Sequence, residues 1–508
     1  MSELLDLIDL AAEKLGGTVL YANDDFFAPK ENLLKPRAAV FLEHEYTDRG
    51  KWMDGWESRR RRTPGHDWCL IRLGLPGILR GVVVDTAFFR GNYPDHCSIE
   101  ACSARPDAAP EELLSPETRW VEVLPKSALR GDSRNVFGID SPHRFTHLRL
   151  NIFPDGGVAR LRVHGEVVPD FRKLGRGGAE IDVAAVENGA QAIACSDMFF
   201  GVRHNLIMPG RAANMGDGWE TKRRRGPGYD WSLLQLCAEA TLTRIELDTN
   251  HFKGNYPDTA MIEGISAEGA SVEELIARAG WREILPRTKL QPHTRHFYDD
   301  HLVLRGPFTH VRLNIYPDGG VSRLRLFGAL TLEGGLGRRV YRLDTLPREG
   351  AEAELFACCG SRAWASAMSV LRPWKTLAGV LSAADLVWRG LEPSDWLEAF
   401  QAHPRIGEKQ ARHVESAVDA RAQGWAENEQ SGVAAAAAET LAALAEGNGA
   451  YHERFGYIFI VCATGKSADE MLALLRARLG NDAATELGIA AEEQRKITRI
   501  RLEKLLGP

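Results

Sequence analysis

Two arginine runs recur in the chain with the same neighbours, "DGWESRRRRTPGHDW" at 54–68 and "DGWETKRRRGPGYDW" at 217–231. A planar guanidinium grips a carboxylate through two parallel hydrogen bonds, so paired arginines beside a fixed Trp-Glu suit a small organic acid. An isolated run of exposed arginines would more simply solvate a sheet face. Repetition with Trp and Asp in register gives the functional reading its weight. A second doubled stretch, "DTAFFRGNYPD" (85–95) and "DTNHFKGNYPD" (248–258), differs in a useful place: Phe88 in the first becomes His251 in the second. His251 lies three residues from Asp248 and beside an Asn/Gly/Pro turn. That makes it a candidate acid or base, against the plainer reading of a lone structural histidine on a strand.

The last third of the chain carries different chemistry. In "WLEAFQAHPRIGE" (396–408) an apolar helix face runs into His403-Pro404. A residue before proline disfavours the helical region, so the helix should end there and present His403 at its rim. "GKSADEMLALLRARLGN" (465–481) opens with Ser467 and Glu470 at capping-box spacing. Met471, Leu474 and Leu475 are expected on one face of that helix, with Arg478 among them. An arginine on an apolar face needs an anionic partner, and a core salt bridge is the plain alternative to a ligand site. Glu429 and Gln430, in "GWAENEQSG" (424–432), sit in a polar segment that would by default be a solvated loop.

These residues need elements to hold them. Sliding the chain on itself by 163 residues aligns more than the two motifs: "THLRLNIFPDGGVARLRVHG" (146–165) and "THVRLNIYPDGGVSRLRLFG" (309–328) agree at 15 of 20 positions. The first 335 residues or so are therefore two copies of one domain. Leu148, Leu150 and Ile152 alternate with polar residues, the period of a half-buried strand. "FPDGG" then reads as the turn of a hairpin whose second strand is 158–163, with Arg149, Arg160 and Arg162 on its outer face. Short strands with Gly/Pro turns predict an antiparallel sandwich per copy. Past "EGGLGRR" the character changes, and from Glu354 the sequence reads as helical. The expected organisation is 1–170 and 171–338 as two tandem all-β sandwiches, followed by an all-α domain at 342–508.

Bulk composition excludes some function classes. The formal net charge is −6, unsuited to nucleic acid or an anionic membrane as the main partner. No stretch approaches the roughly 20 apolar residues of a transmembrane helix, and "MSELLDLIDLAAEKLGG" lacks the basic start and apolar core of a signal peptide. Eight cysteines without a CxxC pair read as reduced core residues of a cytoplasmic protein. HExxH and similar zinc spacings are missing, so no metal site is read from the sequence.

The doubled motifs "DGWExxRRR", "DTxxFxGNYPD" and "LNIxPDGGVxRLRxxG" resemble those of allantoicase, over about residues 15–335. The resemblance implies two jelly-roll sandwiches of the galactose-binding type that split allantoate into ureidoglycolate and urea. It implies an acid/base pool of His251, Asp248, Glu263, Asp217 and Glu220, with no role fixed for each. Trp219, Arg223, Arg224, Asn255, Arg312 and Arg323 complete the expected substrate-binding set. The first copy keeps Asp54, Glu57, Asp85 and Glu100 but lacks the histidine, which places the expected working site nearer the second copy. Taken instead as a binding module, the sandwiches would hold a ureide or sugar acid without turning it over.

"CCGSRAWA" (358–365), "HPRIGE" (403–408), "ENEQSG" (427–432) and "RFGYIFIVCATGKS" (454–467) resemble a second family, the 2-oxo-4-hydroxy-4-carboxy-5-ureidoimidazoline (OHCU) decarboxylases, over about 342–508. It implies an all-helical, cofactor-free enzyme. Carried over, His403 is the catalytic histidine, Glu429 its carboxylate partner and Arg478 the substrate anchor, while Pro404, Gln430 and the backbone of Phe459, Ile460, Val461, Cys462 and Ala463 line the pocket. Ala426 stands where that family usually has serine, which removes one hydroxyl contact. Together the resemblances imply a homo-oligomeric, bifunctional enzyme acting on small ureides. A separate allantoinase is expected between its two steps.

Overall fold

The computed structural model describes residues 2–172, 174–175, 178–403, 425 and 438–507. The chain divides into two compact units, Met1–Arg338 and Arg339–Pro508.

In the first unit each repeat is built around one 19-residue strand, Asp67–Asp85 and Asp230–Asp248, against a common strand length of about 5–6. The first half of Asp67–Asp85 pairs with Arg144–Phe153 and Thr18–Ala22; its second half pairs with Arg160–Val167 and Arg134–Gly138. One strand thus serves both layers of the sandwich. The passage falls at Gly74–Gly77, where glycines and Pro76 weaken the ladder. In the second repeat it falls between Gln235 and Ala240, where the register with Phe308–Tyr316 shifts. Trp56, Leu148, Leu150 and Ile152, with their counterparts Trp219, Val311, Leu313 and Ile315, are wholly buried between the layers.

Two expectations change. The stretch 146–163 is not a hairpin, because Arg144–Phe153 pairs with the long strand and His96–Cys102, while Arg160–Val167 pairs with the long strand's other half and Ile8–Asp9. "FPDGG" crosses between layers, and Gly157-Val158 pairs with Trp56-Glu57 on the way. A glycine-rich turn looks the same in sequence whether it reverses a strand or changes sheet. Arg160, placed on an outer face by alternation, is only 2% exposed and pairs with the buried Asp54.

The second unit is helical. Helix Leu332–Thr345 spans the boundary, so helical structure starts earlier than Glu354. Arg348–Cys359, Arg362–Val370, Leu377–Arg389 and Pro393–Gln401 follow, then Ala438–Phe455, Ala468–Arg478 and Ala483–Leu506. Ser361, Thr376, Ser467 and Asp482 cap their helices by accepting from backbone N–H groups in the first turn. Ser467 and Glu470 form the expected capping box. Met471, Leu475 and Arg478 are buried on one face of that helix, whereas Leu474 turns outward, 37% exposed. All eight cysteines are free thiols, and burial pushes Cys97, Cys102, Cys237 and Cys359 up to about 12. Among the described residues no helix is long and apolar enough to cross a membrane.

Candidate active sites

At one end of the second repeat four loops meet. The long strand stops at Asp248, whose carboxylate accepts from Asn250 N at 2.8 Å and turns the chain sharply. His251 follows with φ of 70°, a left-handed conformation uncommon outside glycine. Its Nε2 lies 2.9 Å from Ala212 O, and its backbone N donates to His293 Nδ1 at 2.8 Å. Four residues on, Asn255 Nδ2 donates to Glu220 Oε1. The backbone of Asn255 accepts from Gly320 N at 2.8 Å. A Cβ on Gly319 (φ 136°) would meet Asn255 O at 2.8 Å, and one on Gly320 would run into the Phe252 ring at 1.9 Å. The "GNYPD" and "PDGG" turns therefore interlock in both copies, and glycine is the residue that fits.

Other residues of the expected set are placed as follows. Asp217 accepts from Ala213 N at 3.0 Å, from Arg323 Nη2 at 3.1 Å and from Lys14 Nζ. The nearby basic groups hold its carboxyl below the usual range despite an opposing burial effect. Arg323 is 2% exposed, and donates also to the carbonyls of Asn205, Gly210, Asp217 and Ser322. Trp219 is wholly buried, its indole N–H on Asp197 O at 2.8 Å. Arg224 pairs with Asp230, and its backbone N reaches Asp318 Oδ2 at 2.9 Å, whereas Arg223 is exposed. Glu263 and Arg312 form a separate group on a sheet face. Arg312 Nη2 lies 2.8 Å from Glu263 Oε2, which also accepts from Asn314 Nδ2 at 2.7 Å, and the guanidinium rests 4.8 Å from the Trp281 ring centre.

The matching end of the first repeat keeps the frame and changes the chemistry. Asn92 Nδ2 donates to Glu57 Oε1 at 2.7 Å, and burial raises the Glu57 carboxyl against that hydrogen bond. Phe88 has φ of 69°, and its N donates to Asp132 Oδ1 at 2.8 Å, so Asp132 stands where His293 stands. The connection from Ala28 to Glu57 is ten residues longer than that from Gly201 to Glu220. It contains the ribbon Tyr46–Thr47/Gly50–Lys51 and puts Phe41 against Phe88, ring centres 5.6 Å apart. Sequence reading missed His293. The signal was present, but shifted: "GDS" at 131–133 aligns with "PHT" at 292–294 at an offset of 161, not 163.

In the helical unit Arg478 Nε and Nη2 lie 2.8 and 2.6 Å from Glu486 Oε1, with Nη1 on Ile460 O at 2.8 Å. Glu486 is wholly buried and also accepts from Asn481 Nδ2 at 2.7 Å and from the Tyr451 hydroxyl. The core ion pair anticipated for a buried arginine is thus present. Its partner went unread because it lies eight residues on, in the next helix. Phe459 stacks on the guanidinium at 4.7 Å, and Phe459, Ile460, Val461 and Cys462 are buried, with Ala463 half-buried after them. Cys462 N donates to Glu493 Oε2 at 2.8 Å. His403 sits just beyond helix Pro393–Gln401, its N on Phe400 O at 3.1 Å. Pro404, Ala426, Glu429 and Gln430 lie outside the described residues.

The allantoicase repeat family matches residues 8–168 and 181–331, three-fifths of the chain. The chain belongs to the allantoicase family. Its relatives include "Probable allantoicase 1" of Burkholderia mallei (strain ATCC 23344), 48% identical over 64% of this chain and 94% of that protein. "Probable allantoicase" of Pseudomonas aeruginosa (strain UCBPP-PA14) is 49% identical over 63% and 96%. The crystal structure of allantoicase from Saccharomyces cerevisiae, 37% identical, covers 63% of this chain and 92% of its own with a TM-score of 0.53. OHCU decarboxylase matches residues 344–503. The protein fuses allantoicase repeats to an OHCU decarboxylase domain, a bifunctional enzyme of ureide breakdown.

Proposed function

We propose that allantoate is hydrolysed to ureidoglycolate and urea at the loop end of the second repeat. The helical domain decarboxylates OHCU to (S)-allantoin. One observation carries the first assignment. The two matching ends differ where chemistry would occur, with Phe88 under Phe41 in one and His251 beside His293 in the other.

On this reading His251 exchanges the proton of the attacking water, and exposed Arg223 takes the substrate carboxylate. Glu220, oriented by Asn255, accepts from a ureido N–H. Asp248 shapes the turn that carries His251. Asp217, Trp219 and Arg323 hold the loops from beneath, and Arg224, Glu263 and Arg312 act as supports through their own ion pairs.

In the decarboxylase, Arg478 is held rigid by Glu486 and Ile460 O to receive an anionic substrate group. Loss of CO2 leaves an electron-rich carbon whose charge the substrate's conjugated ring can hold, so the protein must orient the carboxylate and deliver one proton. His403 is the donor, with Glu429 its partner as the family resemblance implies. Allantoin must be opened to allantoate between the two activities, which calls for a separate allantoinase.

The test is urea release from allantoate and OHCU loss in the same preparations, for wild type, His251→Ala and Arg478→Lys. Each variant should remove one activity and leave the other. A wild type that releases no urea would make the sandwiches a ureide-binding module.

A further inference from the structure

His251 and His293 are fixed to each other by more than proximity. The backbone N of His293 donates to Phe252 O at 3.0 Å, and its ring Nδ1 accepts from His251 N at 2.8 Å. Both residues have left-handed φ, 70° and 50°. The loop that carries His293 is tied to the turn before His251, where Thr249 Oγ1 lies 2.7 Å from Gln291 O and accepts from Thr294 N at 3.1 Å. The rings stand 5.8 Å apart at 66°.

These contacts determine which ring atom carries the proton. Nδ1 of His293 accepts from an amide, so its proton is on Nε2. Nε2 of His251 faces the carbonyl of Ala212, which only accepts, so that nitrogen is the donor and Nδ1 holds the lone pair. One ring offers an acceptor and its neighbour a donor.

Resting on the site proposed above, we infer that His293 is a further catalytic residue, a neutral Nε2–H donor to the ureido oxygen of the departing group. Water oxygen bonds to the carbon that carries the carboxylate, and the water proton passes to His251 Nδ1. The bond from that carbon to the ureido nitrogen breaks with its electron pair on nitrogen. His251 returns the proton to that nitrogen, and urea leaves. His293 keeps its proton throughout and stabilises charge on the ureido oxygen as the bond breaks.

The first repeat supplies the control for folding. Asp132 occupies the equivalent position with φ of 47°, its N donates to Phe89 O at 3.0 Å, and its Oδ1 accepts from Phe88 N at 2.8 Å. His293→Asp should therefore keep the loop and lose only the donor, while His293→Asn restores an N–H. We expect kcat for urea release to fall roughly 100-fold in the Asp variant, with KM little changed, and to recover to within about tenfold of wild type in the Asn variant. Equal activity of the two variants, high or low, overturns the inference. His251→Ala run alongside separates the cases. If it still releases urea, the site itself is misplaced; if it is inactive while Asp and Asn are equal, only the role of His293 falls.

Discussion

Phe88 and His251 occupy the same turn in the two repeats, at φ of 69° and 70°, three residues after the aspartate that ends the long strand. Phe88 is stacked by Phe41; His251 bonds Ala212 O through its ring. A left-handed β-carbon-bearing residue costs about 1–2 kcal/mol, so the turn is a shared feature of the frame. What has diverged is the side chain and the length of the loop above it.

His251→Phe installs the first repeat's residue in the second. Because the turn already accepts phenylalanine, the thermal midpoint should stay within a few degrees of wild type. Urea release should drop by roughly 100-fold or more, the usual scale for loss of a general acid–base group, with OHCU consumption unchanged. Circular dichroism melts with paired assays decide it. A variant that keeps its activity would remove His251 from the chemistry.

The paired amides offer an internal comparison. Asn255→Asp sets a second carboxylate against Glu220, and two carboxylates in contact must share a proton or separate. Asn92→Asp does the same to Glu57 in the first repeat. Each should cost about 1–3 kcal/mol of stability. Urea release should collapse only for the second repeat's variant. Equal losses of activity would mean that both ends work.

Much of this was readable from the residues alone. The repeat showed itself in three motif blocks, strand alternation located Leu148, Leu150 and Ile152, and proline after His403 fixed the end of its helix. Features that depend on distant partners were not readable. Alternation put Arg160 outside, but the connection that carries Arg37 and Asp54 covers that face and holds its guanidinium. Glu486 belongs to Arg478 across a break between helices, and His293 reaches His251 from 42 residues away.

Glu486→Gln should leave Arg478 as a buried charge without its counterion. Breaking a buried pair in this way costs about 3–5 kcal/mol. Tyr451→Phe removes one hydroxyl from the same cluster and should cost roughly 1 kcal/mol. Decarboxylation should fall in both, in that order, and urea release should not. Denaturant unfolding with both assays tests this, and a stable, active Glu486→Gln would show that Arg478 does not depend on the pair.

Acid should weaken the sandwiches through a matched pair of histidines. His147 and His310 are 0% and 3% exposed, each with Nδ1 on the preceding threonine hydroxyl at 2.9 Å. Burial, with a smaller push from Arg72 or Arg338, lowers each from 6.5 to about 4. Between these values the unfolded chain binds protons that the folded chain refuses, so stability falls as pH drops from about 6.5 towards 4, by up to roughly 3 kcal/mol per histidine. Burial acts oppositely on Asp182, raised to about 6, so its protonation favours the fold on acidification below pH 6; Asp9 is shifted in the same direction. The histidine effect is therefore least opposed between pH 7 and 6. Urea midpoints should decline over that interval, and His147→Asn with His310→Asn, which can keep a threonine contact but cannot titrate, should flatten the decline. An unchanged slope in the double variant would assign the acid sensitivity to other groups.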